Sequence, residues 1–211
     1  MPTPPKKYAV ALFDGFQSLD VFGPVDVLNF LSIDTPLELF VLGPTLEPVS
    51  TLHNAPLTRI GEKVVPTHTY ENAPDDIEVL LVPGGMGTRD LDNTRPVREF
   101  IKARYPKLRY FLTVCTGSAV AAQAGVLDGR KATTNKLSFS SVASQGPKTE
   151  WVREARWVED GNIWTSSGVS AGIDMMFAFI ENQYGAATAD SITTRSEYVR
   201  NKDANADPFA K

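Results

Sequence analysis

The stretch "RYFLTVCTGSAVAAQAG", residues 109–125, decides how this chain is read. Tyr110 to Val114 form an apolar, β-branched run that ends at Cys115, and a small-residue helical pattern from Ser118 to Ala124 follows Thr116 and Gly117. That pattern predicts a buried strand turning directly into a helix. Cys115 is the only cysteine in 211 residues, and it stands at the seam.

The same rhythm extends in both directions. "YAVALF", "LELFVLG", "EVLLVPGG" and "NIWTSSG" are further short apolar runs that read as buried strands, with helical patterns at about 21–31, 95–104, 117–125 and 171–184. Alternating strands and helices predict an α/β fold, a doubly wound, mostly parallel sheet with helices on both faces. Ligands bind such sheets at the carboxyl ends of the strands. The chemistry is therefore expected just after each strand.

Composition narrows the class. At 42% hydrophobic and 22% charged, 211 residues can bury a sizeable core, and residues 1–211 read as one domain with a polar tail, "RNKDANADPFAK", from residue 200. No apolar run approaches the roughly 20 residues of a spanning helix, and "MPTPPKKY" leads into a run too short for a signal sequence. One cysteine allows no internal disulfide. The expectation is a cytoplasmic protein without membrane partners. A formal net charge of −4 with scattered Lys and Arg offers no basic stripe, so no nucleic-acid partner is expected.

Two strand-to-helix corners compete as the active site. "GVSAG", residues 168–172, matches the G-x-S-x-G nucleophile elbow, with a strand-like "NIWTS" before it and a helical pattern after it. Its triad needs a histidine downstream, yet the only histidines, His53 and His68, lie upstream in Pro-containing, loop-like sequence and read as surface residues rather than metal ligands. We therefore read Gly168 and Gly172 as packing positions and Ser170 as a helix cap. Cys115 needs less help: a thiol at a helix N-terminus is activated by the backbone N–H groups aimed at it, and the Thr116 N–H can stabilise developing charge. An isolated cysteine packed as a small hydrophobe fits the same residues. The motif alone leaves both readings open.

Other strand ends add candidates. Asp20 follows the first strand in "LFDGFQSLDVFGPVDVL", in a loop entering a helix, where it or Asp26 could simply cap. Pro83-Gly84-Gly85 closes another strand and can present two backbone N–H groups as an anion-binding nest. No dinucleotide fingerprint or P-loop occurs, and no cofactor or metal is expected.

Taken in order, "LF-x-G-x-x-x-LD-x-x-GP-x-D", "VPGG", "VCTGS" with "AGVLDGRKATTN", and "GVSAGID" resemble the ThiJ/PfpI superfamily over roughly residues 8–190, and most of all its isonitrile hydratase branch. The resemblance implies a flavodoxin-like sandwich, a homodimer, Cys115 as nucleophile, Asp20 as its carboxylate partner, and Thr116 positioning substrate or water. It implies Gly84 and Gly85 as pocket backbone, with Phe22 and Asn135, and Trp151 beside them, as candidate pocket walls. One departure stands out. Many relatives carry His after "KATT" and others carry His after the cysteine; here those places hold Asn135 and Thr116. A Cys-His dyad is thereby missing, and cysteine proteolysis loses its base. The resemblance then implies a small-molecule substrate, namely cofactor-free hydration of an isonitrile to an N-substituted formamide. A glyoxalase-like hydration of methylglyoxal and a non-enzymatic, redox-responsive cysteine are the alternatives.

Overall fold

A computed structural model describes residues 3–53 and 58–211. In chain order the first half holds β1 (Lys7–Ala11), α1 (Ser18–Ser32), β2 (Glu38–Gly43), β3 (Val49–Ser50), β4 (Lys63–Val64), β5 (His68–Thr69) and β6 (Val79–Val82). After them come α2 (Leu91–Arg104), β7 (Tyr110–Thr113), α3 (Gly117–Gln123), β8 (Lys131–Ala132) and α4 (Phe139–Gln145). The remainder is β9 (Glu150–Trp151), β10 (Trp157–Asp160), β11 (Ile163–Ser166), α5 (Ser170–Tyr184) and α6 (Ala186–Ser196).

Seven strands form one sheet in the order β10-β11-β7-β6-β1-β2-β5. All its neighbours are parallel except the β10–β11 pair at one edge. The expected α/β architecture is thus the observed one. Residues on β6, β7 and β11 are buried nearly throughout, which is why their sequences are continuous apolar runs rather than alternating ones. A crossover helix on each face supplies the covering apolar surface.

Helix boundaries differ from the sequence pattern in instructive ways. The second helix begins at Leu91 rather than near 95, because the Asp90 side chain accepts the Asp92 and Asn93 N–H groups and caps it. The first begins at Ser18, so Asp20 sits inside the first turn of α1 and not in a loop. α4 and α6 were not expected: "FSSVASQ" and "AATADSITTRS" are too polar and small to show an apolar stripe. The apolar "IDMMFAFI" face of α5 is spent on the core, where Met175, Met176, Phe177, Phe179 and Ile180 are buried. Among the described residues no helix is long and apolar enough to cross a membrane.

Two further expectations are corrected. His68 is not a loop residue: it lies on β5, half-buried, paired with Leu42 and edge-on to Phe40. The segment from residue 200 lacks helix or strand, as expected of a tail, but it is docked on the body. Its Ala204 carbonyl accepts the Arg156 N–H at 2.7 Å, and the Asn201 N–H donates to Asp174 at 2.9 Å.

Candidate active site

Cys115 is the second residue after β7 and adopts φ +56°, a left-handed conformation that a non-glycine residue rarely takes. The corner is pinned from three directions. The Cys115 N–H donates to the Ser167 carbonyl at 2.9 Å, and its own carbonyl accepts from the Thr134 and Ser118 hydroxyls at 3.0 and 3.1 Å. Held this way, the side chain is turned out of the sheet at its carboxyl edge. Such strain persists only where surrounding bonds over-determine it.

The VPGG turn of the neighbouring strand closes against this corner. A side chain on Gly84 would come within 2.5 Å of the Thr116 nitrogen and 2.9 Å of the Cys115 Cβ, so only glycine fits there. Gly85 takes φ +134°. The two N–H groups expected to form a nest are both occupied by the protein itself: Gly84 N–H donates to Asp20 Oδ2 at 2.9 Å and Gly85 N–H to Thr116 Oγ1 at 3.0 Å. Thr88, which no sequence signal singled out, puts its hydroxyl 3.1 Å from Thr116 Oγ1 and 2.8 Å from the Gly85 carbonyl. The Thr116 side chain is thereby fixed.

Asp20 is fully buried and does not cap its helix; its Oδ2 reaches the turn after another strand instead. Its Oδ1 has no hydrogen-bond partner. Burial pushes the Asp20 carboxyl up to about 7, against the opposing pull of the Gly84 N–H. Cys115 departs from the expected activation. Burial first, and the Asp20 charge second, push its thiol up to about 12, although the Thr116 and Val169 N–H groups and the Thr116 hydroxyl pull the other way. A seven-residue helix beginning at Gly117 cannot outweigh desolvation of the sulfur. At neutral pH the pair therefore carries a neutral thiol beside a carboxyl group close to half-ionised.

The other candidates divide. Asn135 lies beside the corner, its Nδ2 against Gly168 and its Oδ1 accepting the Ser138 N–H at 3.2 Å. With Gly168, Val169 and Ser170 it lines a cavity of about 530 Å³. Val169, passed over inside the GVSAG motif, contributes its N–H to the sulfur. Phe22 is not brought to this place: it is 43% exposed and lines a separate cavity with Gly23, Ile173 and Phe177. On a helix, residue 22 faces away from residue 20, which is why Asp20 and Phe22 cannot share one pocket in one subunit. Trp151 packs on Phe139 and bonds the Gly146 carbonyl, outside the cavity. His53 is near Thr58, 3.5 Å from its hydroxyl, and among the described residues no group of His, Cys, Asp and Glu could hold a metal ion.

Ser170 also departs from expectation. It is the first residue of α5, and no side-chain bond caps that helix. Its hydroxyl lies 3.5 Å from Arg156 Nη2, with no base beside it.

Comparison with known proteins decides the family. Residues 6–182 match the model of the DJ-1/PfpI family. The chain belongs to that family. Among its members, an isonitrile hydratase of Pseudomonas putida is 33% identical over 188 residues, covering 89% of this chain and 76% of that protein. The HTH-type transcriptional regulator GbdR of Pseudomonas aeruginosa is 29% identical over 140 residues, which span 66% of this chain and 37% of the regulator. In structure, a ThiJ/PfpI family protein of Pseudomonas syringae superposes with a TM-score of 0.74 at 26% identity, covering 94% of this chain and 77% of its own. Family membership thus fits both enzymes and regulators.

Proposed function

We propose that this protein is an isonitrile hydratase that works through Cys115 and Asp20. The observation that carries the reading is the buried Asp20 carboxyl with one oxygen held by Gly84 and the other left without a partner, close enough to Cys115 for its charge to raise the thiol. Similarity to the P. putida hydratase over most of both chains supports the same substrate class.

The chemistry needs nothing beyond these residues and water. The neutral thiol attacks the terminal carbon of R–N≡C. As the C–S bond forms, the thiol proton passes to Asp20 Oδ1 and from there to the same carbon, which gives the thioimidate R–N=CH–S–Cys115. Asp20 is again a carboxylate. It now takes a proton from the water that adds to the thioimidate carbon and returns it to nitrogen; as the C–S bond breaks, the proton of the adduct's hydroxyl passes through the same carboxylate to the leaving sulfur. The products are the formamide R–NH–CHO and free thiol. One carboxyl group near 7 serves both directions of proton transfer, because its pKa lies near the working pH. The raised thiol fits this route, since a proton that leaves only as the C–S bond forms is available for delivery to carbon. Thr116 and Val169 present N–H groups to the sulfur, where charge gathers when it attacks and when it leaves.

A homodimer in the cytoplasm completes the reading. The half-exposed Leu19 and Phe22 on α1, beside Ile173 and Phe177 of α5, support an apolar contact with a second copy. A light-scattering mass fixed at the 23.0 kDa monomer over a wide concentration range contradicts it.

The decisive assay gives the purified protein cyclohexyl isonitrile, methylglyoxal and peroxide in separate reactions, and follows formamide, lactate and cysteine mass. Formamide production that depends on Cys115 is expected. Lactate alone moves the assignment to the glyoxalase-like reaction, and cysteine oxidation without turnover of either compound removes the enzyme reading.

A further inference from the structure

We propose that residues 200–211 form one wall of the substrate site, and that Phe209, latched in place by an Asp207–Lys136 ion pair, sets which substituent the site accepts. The substrate's identity rests on the hydratase reading above; the wall itself does not.

The cavity lies beside the Cys115 corner. Of its lining residues, Ser167 accepts the Cys115 N–H through its carbonyl and Val169 turns its N–H to the sulfur, while Gly168 and Asn135 touch each other beside them. The larger cavity, of about 800 Å³, is lined by Asp14, His53, Arg59, Arg89 and neighbours, none of which bonds Cys115. The smaller cavity is therefore the one that adjoins the Cys115 corner and is placed to take a substituent of the reacting isonitrile.

The far side of that smaller cavity is built from Asp207, Phe209 and Lys211. This segment has no helix or strand and lies beyond residues 6–182, the part that the family model matches. It is nevertheless tied down at its end. Asp207 lies 3.5 Å from Lys136 Nζ with both side chains almost wholly buried, and the Arg153 guanidinium donates to the Lys211 carbonyl at 2.7 Å. Lys136 is also held by Thr133 Oγ1 and the Ala155 carbonyl, each at 2.7 Å, so its position is set by the body of the protein. A buried ion pair contributes little net stability, but it does fix the register of the segment that brings it.

Inside, Lys136 faces Asp207 at 3.5 Å and Arg156 binds Asp174 at 2.6 Å, while Asp207 Oδ2 accepts no hydrogen bond. The rim is apolar. Leu137 is 97% exposed and Phe209 69% exposed, and both line this cavity. Two large bare hydrophobic side chains at one cavity form lips that a neutral alkyl or aryl substituent would cover.

The test uses the full-length protein and reads the pocket through the thiol. Cys115 is alkylated with iodoacetamide and with N-cyclohexyl iodoacetamide, and the ratio of the two rates is the selectivity. In Phe209→Ala the cyclohexyl preference should fall roughly three- to tenfold, as for loss of one apolar contact face, and Phe209→Leu should recover most of it. Asp207→Asn should lower the ratio similarly by releasing the latch, with recovery in Asp207→Glu. Val199→Ala, exposed on the approach to the segment and outside the cavity, should match wild type. A ratio within twofold of wild type in both Phe209→Ala and Asp207→Asn overturns the wall. If Asp207→Asn fails to fold, Phe209→Ala decides alone, since a side chain this exposed is not needed for folding. A shifted ratio in a protein that hydrates no isonitrile leaves the wall standing and removes the hydratase reading. Where hydration does occur, KM for cyclohexyl isonitrile should rise in Phe209→Ala more than KM for methyl isonitrile.

Discussion

The corners at Cys115 and Ser170 look alike in sequence: each is an apolar strand, a tight turn with small residues and a helix, and each offers a nucleophilic side chain. In the folded protein they differ on every point that makes a nucleophile. Cys115 takes the left-handed conformation of an elbow and feels the charge of the buried Asp20, whereas Ser170, with no positive φ, is an ordinary first residue of α5 beside an arginine. The glycines of the serine motif serve packing, as a side chain on Gly172 would run into Val114 at 2.6 Å. A motif match therefore reports a possible backbone path. The strained residue and its partner from a different strand end separate a reactive corner from a structural one.

The sharpest way to break that contrast is Cys115→Ala. Hydration should disappear, while the fold survives, because alanine meets the same left-handed conformation as cysteine without added bulk. Retention of most of the wild-type turnover would end covalent catalysis at this corner.

Asp20→Asn comes next in size. The amide oxygen can still accept the Gly84 N–H, but it cannot carry the proton, so turnover should fall by a factor on the order of 10² to 10⁴. Alkylation of Cys115 by iodoacetamide should be no slower, since the charge that raises the thiol is gone. Wild-type kcat/KM should rise about tenfold per pH unit up to a midpoint of about 7 and then level, and this limb should vanish in the variant. Stability should move the opposite way. Because the folded carboxyl titrates at about 7 against an ordinary 3.8, the native state binds more protons between those values, and wild-type stability falls as pH rises across that window. The loss is on the order of 4 kcal/mol for about three pKa units. Asp20→Asn should remove most of that slope in denaturant titrations at pH 4 and pH 8, and be the more stable protein at pH 8. An unchanged slope together with unchanged turnover would show Asp20 to be a buried structural group.

Ser170→Ala should give the smallest effect, with turnover near wild type. Loss of activity without misfolding would make the two corners equivalent after all.

Some of the site could be read before folding was known. Cys115 stands out as a lone thiol at a strand-to-helix seam, where the motif alone fits a nucleophile and a packed hydrophobe equally, and Gly84 and Gly85 because consecutive glycines end a strand. Asp20 had a role only through the family resemblance: read from the residues alone, a carboxylate early in a helix normally caps it, and only the approach of the β6 turn turns its Oδ2 to Gly84. Phe22 was misplaced because sequence proximity to Asp20 says nothing of the opposite direction in which a helix sends it. Thr88, Val169 and Asp207 left no signal, since a threonine, a valine and an acidic tail residue are each unremarked in isolation.

By itself the sequence determined the α/β architecture with a mostly parallel sheet of buried strands and the location of the thiol, because these depend on apolar periodicity and turn chemistry within a few residues of chain. Tertiary structure alone decided the protonation of that thiol and its partner. Desolvation comes with the burial that tertiary packing brings, and it overrides the local helix field that the sequence pattern suggested. Distance in sequence hid the docking of residues 200–211: polar residues read as a solvated tail until a buried lysine 71 positions before Asp207 provides that carboxylate with a partner in the body.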